Sequence, residues 1–272
     1  MKNSMKKSGL QPTVSVIVCA HNEEKYVDRC LPSLLRALKD FSFEIIFVAD
    51  KCTDKTVERA RKFNIMMLEK TWRKWNNSYS ESLQLGYSNA MGIYVSIVDV
   101  DVVVPANFFE ELMPKLKGRI ASAAAGVVTY PDTFWNRVMN TWERTYQIAP
   151  LGREPYGAAR VMVREALDAI GGFRDVPTPD TDLDLRITAK GYKSVAVSTV
   201  TVHHIRHVSP RTMMNGQIVN GRGRYALGVS FIRTFGHAVF RFRPFLIGGW
   251  LLEWQRNTKA EKTHTRINHV SF

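Results

Sequence analysis

Two carboxylates separated by one residue, Asp99 and Asp101, end the apolar run Tyr94 to Val98. The run is short, β-branched and apolar at nearly every position, the pattern of a strand buried on both faces. Ligands of open α/β sheets bind just beyond the carboxyl ends of such strands. In an extended segment residues i and i+2 point to one side, so both carboxylates can face a single point. Two oxygen donors converging there suit a hard divalent cation, Mg²⁺ or Mn²⁺, with phosphate oxygens completing its shell. A strand end with two solvated acids at a turn has the same pattern, and the motif by itself does not separate the two.

Asp50 closes a second apolar run, Phe43 to Val48, much as Asp99 closes the first. Alone it reads as a turn or helix-start residue; beside Asp99 it is a partner for a base or a ribose hydroxyl. A third run, Val14 to Cys19, stops at Ala20-His21-Asn22-Glu23-Glu24. That turn has no G-x-G-x-x-G and no G-x-x-x-x-G-K-[ST], which argues against a dinucleotide site and a phosphate loop. Polar side chains, not glycine backbone, must do the recognition here.

The elements holding these acids alternate. Strand Val14 to Cys19 precedes a helical pattern from Tyr26 to Leu38, and strand Phe43 to Val48 precedes a helix over Thr56 to Phe63. A brief strand, Ile65 to Leu68, leads to a helix over Ser80 to Met91, and then comes the Asp-Val-Asp strand. Further on, helices are expected at Phe108 to Leu116, Thr133 to Ile148 (with Trp135, Trp142 and Tyr146), Arg164 to Ile170 and from Asp180 to Gly191. Strands are expected at Ala121 to Tyr130, Gly157 to Val163 and Lys193 to Val202, the last reaching His203-His204. Such alternation indicates βαβ units and a mainly parallel sheet.

The 272 residues, 45% hydrophobic and 23% charged, suit an ordinary globular protein with a large core. Cys19, Cys30 and Cys52 are an odd number with no Cys-x-x-Cys pair, which argues against a disulfide framework or structural zinc and for a reducing compartment. Lys2, Lys6 and Lys7 are followed by no apolar stretch before Pro12, so no secretory signal is expected. The net charge of +13 is uneven: residues 203–272 hold eleven Lys/Arg against Glu253 and Glu261, a net +9, leaving +4 for the rest. A basic tail on a nearly balanced body points to a polyanionic neighbour.

In order, Val14-Ser-Val-Ile-Val-Cys-Ala-His-Asn-Glu-Glu24, Glu44-Ile-Ile-Phe-Val-Ala-Asp-Lys-Cys-Thr-Asp-Lys-Thr56, Asp99-Val-Asp101, Gly171-Gly-Phe173 and Asp180-Thr-Asp-Leu-Asp-Leu-Arg186 resemble the landmarks of the family 2 glycosyltransferases, over residues 13–204. The resemblance implies an α/β GT-A (nucleotide-diphospho-sugar transferase) fold, a mostly parallel central sheet flanked by helices. It also implies transfer of a sugar from a UDP- or GDP-sugar with inversion, using Mg²⁺ or Mn²⁺. By position, Ala20, Asn22, Glu23, Asp50, Asp99 and Val100 would hold the nucleotide and donor. Asp101 and Asp99, with His203 or His204, would hold the metal. Asp180 would be the general base, and Gly171, Gly172 and Phe173 the acceptor loop. Inverting transfer needs one base for the acceptor hydroxyl and a cation for the departing diphosphate, and this set supplies both.

The chain departs from the family pattern Asp-Asp-Gly-Ser-Thr-Asp-Gly-Thr, which here is Ala49-Asp50-Lys51-Cys52-Thr53-Asp54-Lys55-Thr56. Pro179 replaces the glutamate of the Glu-Asp pair, and no Gln-x-x-Arg-Trp follows, so single-sugar transfer is expected rather than processive synthesis. Asp182 and Asp184 are expected to face solvent or pair with basic neighbours. The stretch Lys70 to Ser80, with Trp72, Trp75, Asn76 and Asn77, is expected to border the donor and set sugar selectivity.

The expected organisation is a flexible N-terminus (1–12), a catalytic domain (13–204, halves 13–104 and 105–204), a basic aromatic-rich helical extension (205–257) and a polar, frayed tail (258–272). The longest apolar run of the extension, Phe245 to Leu252, has eight residues, against about 20 needed to span a bilayer. Arginines among Trp and Phe suit a segment lying in an anionic membrane interface, or an amphipathic segment packed on the catalytic domain. Interface binding would bring the site to a lipid-linked (polyprenol-phosphate type) or glycan acceptor, with a cytoplasmic, peripheral location on the inner face of the cell membrane. A sugar-nucleotide nucleotidyltransferase would need a glycine-rich, lysine-bearing loop where His21-Asn22-Glu23-Glu24 stands. A nucleic-acid-binding protein using the basic tail would leave the strand-end carboxylates without purpose.

Overall fold

The computed structural model describes residues 11–145 and 157–268. The expected flexible N-terminus up to residue 10, the continuation of the Thr133 helix through Tyr146 to Ile148, and the tail beyond residue 268 lie outside the described residues. The described residues form two compact units: 11–130, 157–175 and 183–206 make the first, and 131–145, 176–182 and 207–268 the second.

The first unit is built on an eight-stranded sheet of β1 (Val14–Ala20), β2 (Phe43–Asp50), β3 (Met66–Lys70), β4 (Tyr94–Val98), β5 (Val102–Val103), β6 (Ile120–Thr129), β7 (Ala159–Val163) and β8 (Lys193–His204). Their order is β3-β2-β1-β4-β7-β6-β8-β5. The β1–β2, β1–β4, β2–β3 and β6–β8 pairs are parallel. β7 runs antiparallel to β4 and β6, and β5 pairs antiparallel with the end of β8. The sheet is therefore mostly parallel, as the alternating pattern predicts. The two-residue β5 is too short to show a period in the sequence.

Alternation along β1 shows why the runs are apolar at nearly every position. Val14, Val16, Val18 and Ala20 pack toward α1 (Glu24–Ala37), on Val27, Leu31 and Leu34. Ile17 and Cys19 face the other layer, with Leu83 and Tyr87 of α3 (Ser78–Asn89). Gly86 of α3 lies against β1 so closely that a Cβ there would meet Ile17 Cγ2 at 2.5 Å. Burial on both faces leaves the strand ends as the places where polar groups meet solvent.

Several boundaries differ from the sequence expectation. α2 covers Thr56–Ala60 only, and the helix expected over Phe108 to Leu116 is α4 (Phe108–Leu112) tightening into a 3₁₀ turn, Met113–Lys115. Pro114 has no N–H to continue the α ladder. α6 is Arg164–Ala169, and α7 is Pro179–Ala189, with Pro179 in its first turn. Asp182, expected to face solvent or pair with a basic neighbour, is buried, whereas Asp184 receives both guanidinium nitrogens of the buried Arg160 at 3.0 and 3.1 Å.

The second unit contains α5 (Phe134–Thr145), α8 (Pro210–Ala226), α9 (Phe231–Phe240) and α10 (Pro244–Asn268). Ser209 caps α8 with a reciprocal Thr212 bond, and Trp250 Nε1 donates to Val229 O at 2.9 Å. α10 runs on to Asn268, past the point where the sequence pattern ends the extension. Among the described residues no helix is long and apolar enough to cross a membrane.

Candidate active site

At the carboxyl ends of β1, β2 and β4 lies a pocket of about 570 Å³ within the first unit. Ala20, His21 and Glu23 follow β1, Asp50 and Lys51 end β2, and Asp99, Val100 and Asp101 follow β4. Ser78 and Tyr79 enter from the first turn of α3, Arg73 from the loop before it, and Arg206 from just beyond β8.

Asn22 and Lys51 take left-handed backbone angles, φ 54° and 48°, at the first two strand ends. Asn22 does not line the pocket. Its Oδ1 accepts from Thr53 N at 2.7 Å and Asp54 N at 3.3 Å, tying the two strand-end turns together. His21 Nδ1 lies 2.6 Å from Asp50 O, and Glu23 Oε2 accepts from His21 N at 3.3 Å. Burial first, and the Asp101 charge second, raise the Glu23 carboxyl above its usual range.

Asp50 is buried. Its Oδ2 accepts from Ser78 Oγ and lies 3.2 Å from Lys70 Nζ, while Oδ1 is buried and finds no hydrogen-bond partner among the described residues. A buried acceptor left open in a pocket is a demand for a ligand donor. Lys70 itself is fully buried and also donates to Glu81 Oε2 at 2.9 Å. Glu81 Oε1 in turn accepts from the N–H of Lys74 and Trp75, at 2.7 and 3.1 Å. The neighbouring N–H groups of Asn76 and Asn77 donate to Asp175, each at 2.8 Å. The stretch expected to set selectivity is thus pinned at four consecutive amides, and it sends Arg73, Ser78 and Tyr79 into the pocket. Trp72 is exposed beside the Lys70 and Lys74 ammoniums, 5.6 Å from each.

Asp99, Asp101 and His204 each offer a ligand atom, all within 4.8 Å of one another. The convergence does not come from strand alternation. β4 ends at Val98, and a turn closed by Val102 N donating to Asp99 O at 3.0 Å brings the carboxylates together. His204 reaches them because β5 pairs Val102 with it. His203, the neighbour left open by the sequence, stacks edge-on against Tyr130 at 6.0 Å.

These residues fit a divalent cation. Asp101 is buried, its Oδ1 has no hydrogen-bond partner among the described residues, and the same holds for His204 Nε2. Burial holds the His204 imidazole below its ordinary 6.5, which favours the neutral form that can ligate. Burial, then the Asp101 charge, pushes Asp99 up to about 7, against the hydrogen bond from Tyr79 Oη at 2.7 Å. Two carboxylates with one imidazole suit Mn²⁺ better than Mg²⁺, which prefers oxygen alone. The other oxygen of Asp101 meets the Arg206 guanidinium.

Gly172 (φ 70°) is buried on α3, where Phe173 N donates to Gln84 Oε1 at 2.8 Å. Asp180 is the exposed second residue of α7 and belongs to the second unit. Lys70, Ser78, Tyr79, Glu81 and Arg206 carry much of the site; the first three lie in the stretch expected to border the donor, though no motif marks any of the five. The available signal for Arg206 was its place two residues past the histidine pair; Lys70 ends β3, beyond the apolar run that marks that strand.

Residues 15–169 match the family model described as Glycosyl transferase family 2. An uncharacterized glycosyltransferase of Haemophilus influenzae is 31% identical over 110 residues, 39% of this chain and 33% of that protein. A dolichol-phosphate mannosyltransferase of Pyrococcus furiosus is 26% identical over 59% of this chain and 45% of that protein. The chain thus spans less than half the length of these curated relatives. Among solved structures, the Pyrobaculum calidifontis mannosyltransferase PcManGT in complex with GDP-Man and Mn²⁺ superposes with a TM-score of 0.61 at 21% identity. The match covers 89% of this chain and 70% of that one, and the shared fold is GT-A.

Proposed function

The chain belongs to glycosyl transferase family 2, and from that premise we propose that it moves a single sugar, with inversion, from a nucleotide-sugar to a hydroxyl of a lipid-linked or glycan acceptor. The observation that carries this reading is the pairing, in one pocket, of the open Asp50 Oδ1 with Asp99 and Asp101, which cluster with His204. The first suits a base N–H and the second a metal diphosphate. The match to a dolichol-phosphate mannosyltransferase supports a lipid-phosphate acceptor.

In this reading Asp50 accepts from the nucleobase, oriented by Ser78 and Lys70, and Tyr79 with Asp99 borders the ribose. Asp101, Asp99 and His204 would hold a divalent cation, which when bound neutralises the departing nucleoside diphosphate. Arg206 and Lys51 add positive charge on the same side. Asp180 takes the proton of the acceptor hydroxyl as its oxygen bonds the anomeric carbon. The bond from that carbon to the phosphate oxygen breaks, and its electron pair leaves with the diphosphate. Nothing else needs to be oxidised or reduced.

Thermal unfolding with a panel of nucleoside diphosphates and nucleotide-sugars, with Mn²⁺ or EDTA, tests this. One nucleotide should stabilise by about 2.7 kcal/mol at about 100 times its dissociation constant. Asp101→Ala should abolish the shift. Asp180→Asn should keep it while slowing transfer by at least about 100-fold. If no nucleotide shifts the transition with Mn²⁺ present, the transferase reading fails.

A further inference from the structure

α9 is turned inside out for a helix in water. Thr234 and His237, with Ala238, are buried, while Ile232, Phe235 and Val239 are 83%, 49% and 52% exposed. The spacing of these three, i, i+3 and i+7, places them on one face. A helix packed on a soluble core shows the reverse arrangement. Here Thr234 is satisfied within the unit: its Oγ1 donates to Ser230 O at 3.0 Å and accepts from Arg224 Nε at 3.4 Å.

The turn after α9 adds an independent observation. Phe242 has φ 51° and is 70% exposed, and Arg243 N donates to Ala238 O at 2.8 Å across it. This closure usually has glycine at the left-handed position. A bulky residue there costs backbone energy, and its ring gains nothing back from packing. Folding alone does not account for Phe242. Charge supplies the third observation: residues 208–252 hold six arginines and no Asp or Glu, and Arg233 is exposed on α9 itself.

We propose that the outward face of α9, with Phe242 at its end, docks on an anionic lipid bilayer, apolar side chains entering the interface and arginines meeting headgroup phosphates. A shallow, basic, aromatic-bearing helix too short to span suits this mode of binding. A second copy of the chain would set arginine against arginine across the contact, which disfavours dimerisation as the reason for the face. The proposal rests on the transferase reading only for its purpose, delivery of the site to a lipid-linked acceptor.

Cosedimentation of the full chain with phosphatidylcholine vesicles, with and without about a third phosphatidylglycerol, tests it. The wild type should bind the anionic vesicles, at least tenfold more weakly at high salt, and the neutral ones poorly. Phe242→Gly relieves the backbone, so it should fold at least as well while binding at least fivefold less. Ile232→Ser with Phe235→Ser should lose binding at least tenfold with unchanged circular dichroism. Asp180→Asn should bind like the wild type, so a failed transferase assay leaves this result intact. Absent binding to anionic vesicles, undiminished binding by Phe242→Gly, or a concentration-dependent dimer broken by the α9 changes would each overturn the proposal.

Discussion

Lys70 and Asp50 form an ion pair at 3.2 Å whose cation is wholly buried. The same ammonium holds Glu81, and Glu81 holds the amides of Lys74 and Trp75. One buried charge therefore joins the floor of the pocket to the loop that sends Arg73 into it. Removing one partner of a buried ion cluster leaves its counter-charges stranded, at a cost of about 3–5 kcal/mol. Lys70→Met should lose stability in that range by urea titration, and adding Glu81→Gln should recover part of it. If the single variant loses under 1 kcal/mol, the cluster does not organise the pocket.

Asp99 gives a pH dependence with a defined sign. Burial and the Asp101 charge place its folded value at about 7, whereas an unfolded aspartate titrates near about 4. Its contribution to stability is fully present below about 4 and is lost as pH rises through about 7. Cation binding runs the other way, because the proton must leave first. Mn²⁺ affinity should rise up to tenfold per pH unit below about 7 and level off above it. Burial lowers the His204 imidazole below its ordinary value, which favours its neutral form. Electron paramagnetic resonance titrations at pH 6, 7 and 8 read this directly, and Asp99→Asn should flatten the slope. A flat wild-type profile would show that Asp99 is already ionised without the cation.

The parts of the site that rest on strand ends were legible in the sequence. β1, β2 and β4 are apolar at nearly every position because they are buried on both faces, so Asp50 and Asp99 stand out where the runs stop. The convergence of Asp99 and Asp101 was legible, but its cause was not: a turn, not alternation, does it. Lys70 opens the stretch expected to border the donor, but its burial was hidden: a single lysine ending a five-residue strand has no pattern, and the burial depends on Glu81 eleven residues on. The extension could be read as amphipathic. Which face of α9 points outward depends on packing within the second unit, and residue spacing alone cannot report it.

Gly171 and Gly172 share positive φ, 73° and 70°, but differ in surroundings. A Cβ at Gly171 meets nothing within 4 Å, while one at Gly172 meets Gln84 Oε1 at 2.5 Å and the Tyr87 ring at 2.9 Å. Gly171→Ala should therefore lose only the backbone cost, about 1–2 kcal/mol. Gly172→Ala adds a clash worth about another 1–3 kcal/mol and should free the loop from α3. Equal losses in denaturant titrations of the two variants would contradict the packing of this loop.

Lys51 occupies a place where the family pattern has glycine, and it keeps the glycine-like backbone, φ 48°. Its side chain lines the pocket, so strain at the end of β2 accompanies a cation beside the Asp50 and Asp99 turns. The two effects separate by substitution. Lys51→Gly relieves about 1–2 kcal/mol of left-handed strain and concedes about 0.5–1 kcal/mol to the freer unfolded chain. The net is a gain of about 0–1.5 kcal/mol in urea titrations, an unusual direction for a lysine-to-glycine change. Loss of the ammonium should weaken nucleoside diphosphate binding two- to fivefold, since an exposed charge pair contributes about 0.2–1 kcal/mol. Lys51→Ala keeps the strain and lacks the ammonium, so it should bind as weakly as the glycine variant without its stability. Calorimetry on the three proteins decides the matter: if Lys51→Gly binds as tightly as the wild type, the ammonium does not reach the diphosphate.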